Sequence, residues 1–575
     1  MTIALFESRS VALSGAVELL SREGSVEERG AVFTKAEVVD GILDLCGYRA
    51  CENLLAMRLL EPAAGDGAFV LAAIDRLMDS IAIQGLSPLT IAERLRDRIV
   101  AVELHHATFE RTTQRVVRLL ADRGIDSDVA EMLARCWIRC DDFLLTHLDG
   151  DFDVVVGNPP YVRQERIPAI LLAEYKRRFT TLYDRADLYV LFFEKCLHAL
   201  KAHGTLGFIC SNRWIKNKYG GPLRRLVASN FNLNFYIDLE RTDAFSDAVD
   251  AYAAVTIIQR APQSKTIVFN VGQTANTSVA RIFDATRLDT KSELTPYVVE
   301  HLMNDDSPWL LDSPQVIVAL RSLEARHPTI ESSGGKIRIG VASGADKIFI
   351  GRYDELAVEP SAKVPLAMSE DLSDEGLSWG GLGMINPWDR DGSLKSLSDY
   401  PLLAAYLTQH RAILESRHTA RERPDAWYRT IDRIYPDLLH EPKLLIPDIK
   451  GGATIGFDAG TVYPHHNLYC ITSATWCLPA LQTILRSSIA LAFVAAYSVR
   501  MSGGFLRFQA QYLRRIRVPH PESLPESLVK RLADLSASRD QAAIDTAVAE
   551  AFRLDSIGMA VLVKFANQAR AGKAS

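Results

Sequence analysis

What this 575-residue chain lacks is, first, any apolar run long enough to cross a bilayer. Ile489 to Val499 comes nearest, but it stops well short of ~20 residues and follows Arg486. Nor does it open like a secretory leader: Glu7, Glu18, Glu23, Glu27 and Glu28 crowd the first thirty residues, where a signal would be basic and then apolar. The eight cysteines are scattered, and the gap between Cys136 and Cys140 is wrong for a zinc pair, with no His/Cys cluster beside it. The expectation is a reduced, cytoplasmic, metal-free protein with no membrane partner. An overall positive charge is missing too. The formal net charge is −6, so the chain as a whole does not advertise a polyanionic ligand. Its length predicts two or more domains, each with its own core.

What is present begins with Asn158-Pro159-Pro160-Tyr161, directly after the largely apolar run Phe152 to Val156. Two prolines remove backbone donors and lock φ, so the chain must leave the strand rigidly here. That rigidity presents an amide side chain and the Pro159 carbonyl at the carboxyl edge of a sheet, with an aromatic ring behind them. Two acceptors beside a flat apolar face suit a planar substrate bearing an exocyclic NH2 group. A plain proline-rich turn would account for the tetrapeptide alone, so its neighbours decide the matter.

Residues 31–45 read as a capped amphipathic helix, with Thr34 at the N-cap, Glu37 as capping-box partner and Val38, Val39, Ile42, Leu43 and Leu45 as the apolar stripe. Met57 to Val70 reads as a strand, a glycine-containing loop and a helix start, with Gly65 and Gly67 letting the backbone approach a ligand. Glu61 at that strand end would repel phosphate and attract an ammonium, which favours S-adenosylmethionine over a dinucleotide. A second strand, Arg98 to Leu104, carries Glu103, placed to bridge ribose hydroxyls, although it lies well beyond the ~20 residues usual after the glycine loop. An inserted helix around Pro88 to Arg96 fits the extra length. A third strand around Trp137 to Arg139 leads to Asp142 and Phe143, suited to an adenine amino group and its ring; Asp141 competes with Asp142 for that role. Four successive strands therefore end near Glu61, Glu103, Asp142 and Asn158, and in a doubly wound sheet such ends share one ligand-binding edge.

This order resembles the N6-adenine DNA methyltransferases of the gamma arrangement, the TaqI-type group. The resemblance continues through Ala186-Asp187-Leu188-Tyr189, Gly204 to Ile209, Asn212-Arg213-Trp214, Ala244-Phe245-Ser246 and Tyr252 to Ile258. It covers residues 31–260 well and the remainder more loosely. It implies an α/β fold: a Rossmann-like class I methyltransferase sheet in a catalytic domain, residues 1–262, and a mixed α+β target-recognition domain, residues 263–575. By the same resemblance Thr34 and Glu61 hold the methionine carboxylate and ammonium of S-adenosylmethionine. Ala63, Ala64 and Gly65 shape the loop around it, Glu103 takes the ribose, and Asp142 and Phe143 take the adenine. Asn158, Pro159 and Pro160 form the catalytic loop, and Tyr161 and Phe245 sandwich a flipped target base. The implied partner is double-stranded DNA, with a cognate restriction endonuclease acting separately and the methyltransferase working as a monomer.

In the second half, Gly451 to His520 holds six arginines, Arg486, Arg500, Arg507, Arg514, Arg515 and Arg517, against one acid, Asp458. Arg500, Arg507, Arg514, Arg515 and Arg517 are the candidates for DNA contact. Rival readings are another amino-group methyltransferase acting on an RNA base or a protein glutamine, a specificity component without catalysis, and a cytosine-N4 enzyme. A bifunctional restriction–methylation enzyme is a further rival, because Pro436-Asp437 and Asp448-Ile449-Lys450 match a loose nuclease pattern. Only about thirty residues precede the first motif, too few for an added nuclease domain.

Overall fold

The computed structural model describes residues 11–22, 34–87, 91–239, 242, 253–270, 277–286, 294–448, 454–498, 500–501 and 505–571. The chain divides into two compact units, Met1–Pro314 and Gln315–Ser575.

The first unit is built on a nine-stranded sheet. In chain order the strands are β1 (Leu59–Glu61), β2 (Ile99–Glu103), β3 (Ile138–Cys140), β4 (Phe152–Gly157), β5 (Leu200–Ser211), β6 (Asn232–Asp238), β7 (Ala253–Gln259), β8 (Thr266–Asn270) and β9 (Tyr297–Val299). Their spatial order is β3-β2-β1-β4-β5-β7-β6-β8-β9. β1 to β5 run parallel, while β7 lies antiparallel between β5 and β6. Every residue of β1 and β2 is buried, as expected for parallel strands covered on both faces. Helices Ala68–Ile83, His106–Asp122, Tyr189–Ala199 and Gly221–Asn230 are the connections between these strands. Residues 263–314 add β8, parallel to β6, and β9, so this sheet continues past the boundary expected at residue 262.

The helix read over 31–45 starts later, at Ala36–Leu45, with Lys35 rather than Thr34 in the N-cap position and no side-chain cap. Thr34 therefore forms no capping box with Glu37, and its hydroxyl is used elsewhere. The helix buries Val38, Val39, Ile42 and Leu43. It lies hard against β5, where a Cβ on Gly207 would come within 2.4 Å of Cys46 Sγ and 2.7 Å of Ile42. Only glycine lets helix and strand approach this closely.

The second unit contains two four-stranded sheets. One runs Gly335–Ile339, Leu468–Ser473, Lys443–Pro447, Gly456–Asp458; the other runs Ile350–Arg352, Leu382–Ile385, Lys363–Ala367, Tyr463–Pro464. Helices Leu478–Arg486, Ser488–Tyr497, Glu526–Asp534, Gln541–Ala551 and Ser556–Ala571 pack on one another. Among the described residues no single helix is long and apolar enough to cross a membrane; the adjoining pair Leu478–Arg486 and Ser488–Tyr497 is bent by 61°.

Candidate active site at the carboxyl edge of the sheet

The parallel pairing of β3, β2, β1 and β4 brings their carboxyl ends to one edge, with Asp142, Glu103, Glu61 and Asn158 following the strands in that order. Glu61 is only 1 % exposed, and its Oε2 has no hydrogen-bond partner. Burial raises its pKa well above the usual carboxylate range; the Val70 amide opposes that shift and the nearby Glu103 adds to it. A buried carboxylate oxygen without a donor is costly unless a ligand supplies one. The group that fits is a cation carrying N–H.

Glu103 is held from both sides: its Oε2 accepts from the Gly65 amide and its Oε1 from the His105 amide, each at 2.8 Å. The loop between β1 and helix Ala68–Ile83 turns through Gly65 at φ 51° and Gly67 at φ 85°, the left-handed region that glycine enters without strain. Ala64 donates its amide to Val102 O, and Thr112 Oγ1 donates to Gly65 O, so Ala63, Ala64 and Gly65 form a loop tied to β2 and to helix His106–Asp122. Two fixed amides leave each oxygen of Glu103 a further lone pair, enough for two vicinal hydroxyls.

At the third strand end the carboxylate is more heavily used than the sequence suggested. Asp142 Oδ1 accepts from the Leu144 amide at 2.8 Å, and Oδ2 accepts from the Tyr175 hydroxyl at 2.5 Å. Asp141, the competing acid, accepts instead from the Asp142 amide and from Thr146 Oγ1. Phe143 is buried, stacked on Phe192 with centroids 5.1 Å apart and lying beneath Lys195 Nζ. Lys195 donates to Phe143 O and Thr146 O; burial lowers its pKa to about 8. Sequence reasoning missed Tyr175 and Lys195. They sit on helices Ala169–Arg178 and Tyr189–Ala199, where nothing in an amphipathic pattern marks a residue as reaching a loop across the sheet.

The Asn-Pro-Pro-Tyr segment leaves β4 as expected, with no hydrogen-bonded secondary structure of its own. Asn158 Nδ2 donates to Thr34 Oγ1 at 3.2 Å, so the segment ahead of helix Ala36–Leu45 fixes the orientation of the amide. Beyond the prolines, Arg163 bridges Asp187 and the Leu188 amide donates to Val162 O at 2.8 Å. Tyr161 is half-buried and lies 6.4 Å from Tyr189 between centroids, tilted by 55°. Its hydroxyl is buried without a partner, and burial holds its pKa well above the ordinary phenol value. Tyr189 in turn shares a hydrogen bond with Tyr219, whose hydroxyl reaches Asp187. Phe245 lies outside the described residues.

The arginine-rich stretch of the second unit is largely occupied by its own neighbours. Arg507 pairs with Asp448 at 2.5 Å and Arg514 with Glu331 at 3.1 Å, while Arg515 lies over the Tyr497 ring. Arg517 bridges Thr329, and its Nε is buried without a partner. Arg500 opens the short strand Arg500–Met501; its side chain lies outside what is described. Asp448 of the nuclease-like pattern is thus bound to Arg507, Asp437 is exposed, and 449–450 lie outside the described residues.

An antiparallel β7 between β5 and β6 separates this sheet from the dinucleotide-binding order, in which strands 4, 5 and 6 follow one another. The fold is that of class I S-adenosylmethionine-dependent methyltransferases. Residues 103–245 match the family model of the Eco57I restriction-modification methylase. The Type II methyltransferase M.PaeR7I of Pseudomonas aeruginosa is 48 % identical over 94 % of this chain and 94 % of its own length. M.XhoI of Xanthomonas vasicola is 46 % identical over 92 % and 98 %, and M.BstVI of Geobacillus stearothermophilus 41 % over 92 % and 97 %. The chain belongs to the Type II methyltransferases of restriction–modification systems. Among solved structures, the Type IIL restriction-modification enzyme MmeI in complex with DNA superposes with a TM-score of 0.62, at 13 % identity over 97 % of this chain and 82 % of that one. That likeness extends the shared fold across both units.

Proposed function

We propose that the protein is a site-specific DNA adenine-N6 methyltransferase that flips its target base and takes its methyl group from S-adenosylmethionine. The observation that carries this reading is the pairing, on one sheet edge, of the buried, unpartnered Glu61 oxygen with the Asn158 amide oriented by Thr34. The first suits the ammonium of the cofactor's methionine. The second presents an acceptor beside the Pro159 carbonyl, where an exocyclic amino group needs two.

The cofactor, when bound, supplies an electrophilic methyl group. Glu61 would hold its ammonium, Glu103 its ribose hydroxyls and the Asp142–Phe143 turn its adenine. The N6 lone pair of adenine is delocalised into its ring and is a weak nucleophile. Asn158 Oδ1 and Pro159 O, each accepting one N6 hydrogen, draw the nitrogen towards tetrahedral geometry and turn its lone pair to the methyl group. Transfer would then need no covalent enzyme intermediate and would rest on positioning and preorganised acceptors, with the surplus N6 proton released to water. A base inside a duplex is out of reach, so it must be extruded at a cost of a few kcal/mol. Stacking on Tyr161, worth roughly 1–3 kcal/mol, offsets most of that. Thr34, which caps no helix, is kept for the amide of Asn158.

The test is methylation-sensitive long-read sequencing of DNA from a methylation-deficient host expressing the chain. N6-methyladenine at one defined motif is the expected result. Modified cytosine, or no modified base with cofactor still bound, would overturn it.

A further inference from the structure

His465 is a buried polar side chain of the second unit. It is 4 % exposed, yet neither ring nitrogen has a hydrogen-bond partner. A neutral imidazole buried this way strands both a donor and an acceptor, which costs stability. Two groups that share its surroundings can hold a cation. His466 lies beside it with ring centroids 4.0 Å apart and planes tilted by 58°, and Asp346 Oδ2 lies 3.6 Å from His465 Nε2. One ligand atom from each of the three residues can be chosen so that all lie within 4.8 Å of one another.

We propose that Asp346, His465 and His466 form a binding site for a divalent transition-metal cation of the zinc class, with a fourth position open to solvent. The separation of 3.6 Å is too long for a hydrogen bond. It is close to the edge of about 3.4 Å expected between two ligands of a tetrahedral ion bound at ~2.0–2.1 Å. Two imidazoles and one carboxylate select against magnesium and calcium, which take oxygen ligands.

The ligands are already positioned by the backbone. The His465 amide donates to Ala367 O and the His466 amide to Val341 O, and Val341 bridges His465. Ser343 Oγ donates to Asp346 Oδ1, leaving Oδ2 turned to His465. A metal at Nε2 would leave Nδ1–H for Asn467, whose Oδ1 is itself buried without a partner and whose side chain neighbours His465. That is the arrangement in which a ligating histidine has its second nitrogen fixed by an outer acceptor.

The location gives the ion a structural task. Residues 465–467 form the crossover from strand Tyr463–Pro464 of one sheet to strand Leu468–Ser473 of the other, and Asp346 follows the loop after strand Gly335–Ile339. A shared metal ties the two sheets together where the chain passes between them. Both Asp346 and His466 are exposed, so the ion enters from solvent.

The experiment uses the full chain, purified without chelator. Elemental analysis should find about one zinc per chain. After chelation, adding zinc should raise the unfolding midpoint by about 2–5 °C at a hundredfold excess over Kd. Cobalt should give the absorption of a tetrahedral site. Asp346→Ala and His466→Ala change exposed residues, so they keep the fold and should each weaken zinc binding at least tenfold. His465→Ala serves as a second, buried variant. Absence of bound metal with no shift on adding zinc overturns the proposal, as does undiminished binding by both exposed variants. A midpoint that responds to pH and not to zinc would show a proton-held His465–Asp346 pair instead.

Discussion

Glu61 separates what stability wants from what ligand binding wants. Its folded pKa lies well above its unfolded value because burial penalises the anion. Its contribution to the stability of the ligand-free protein is therefore fully present below the ordinary glutamate pKa and is lost as pH rises through the raised value. Glu61→Gln removes that penalty and should raise the unfolding midpoint at neutral pH, measurable by calorimetry. The same change should weaken S-adenosylmethionine binding about 10–100-fold by titration calorimetry, since a charge-assisted hydrogen bond is worth ~1.5–3 kcal/mol. Asn158→Ala removes one preorganised acceptor and should cut single-turnover methyl transfer by about 10²–10³ with cofactor affinity unchanged. At Tyr161 the buried hydroxyl has no partner, so the ring rather than the phenol is what matters. Tyr161→Phe should keep methylation within about twofold, whereas Tyr161→Ala should lose the ~1–3 kcal/mol of stacking, read as weaker binding of 2-aminopurine-substituted target DNA.

Among the elements, those legible in the sequence were the ones whose signals are local. β1, β2 and β4 are short apolar runs bounded by Gly, Pro or an acid, and each strand lies where the sequence placed it. The N-cap of helix Ala36–Leu45 was misplaced by one residue, Thr34 for Lys35. Thr34 and Glu37 have capping-box spacing, but the hydroxyl is drawn away to Asn158, 124 positions on, and no local pattern can show that. β8 and β9 were not anticipated as part of the sheet, because they add to it beyond β6 through pairings the local sequence does not signal. Phe143 and Asp142 were legible as residues, yet the Tyr175 hydroxyl and the Lys195 ammonium that fix their turn were not. The strand pair Lys443–Pro447 and Gly456–Asp458 hides a fully buried ion pair, Lys443 Nζ to Asp458 Oδ2 at 2.7 Å. Burial would raise the Asp458 pKa, but Lys443 and Thr461 hold it below the usual value. Its stabilising contribution is present above the unfolded carboxylate pKa and is lost as pH falls through the lowered one. Asp458→Ala leaves Lys443 buried and unpaired and should cost about 3–5 kcal/mol in urea unfolding.

For the whole molecule, the class of fold was readable because four strand ends in chain order are a long-range pattern written locally four times. The charge distribution was not fully readable. The local excess of arginine is real, but Asp448 and Glu331, far away in sequence, claim Arg507 and Arg514. With a net charge of −6, DNA binding on the proposed reading depends on a minority of cations on one face. Apparent affinity for a duplex should fall steeply with salt, by about 10³–10⁵ between 50 and 200 mM for 6–10 phosphate contacts, measured by fluorescence anisotropy. Arg507→Ala and Arg514→Ala, already paired within the protein, should leave that slope within one unit of the parent.

Helix Tyr189–Ala199 carries at one end the ring beside Tyr161 and, a turn or two further, the Phe192 and Lys195 that back the Asp142–Phe143 turn. Both halves of the proposed reaction are therefore mounted on one beam. On the proposed reading, an adenine settled against the turn near one end would steady the surface that receives a base near the other. Linkage then requires the reverse as well: whatever factor a cofactor analogue adds to the grip on an extruded base, that base returns to the analogue.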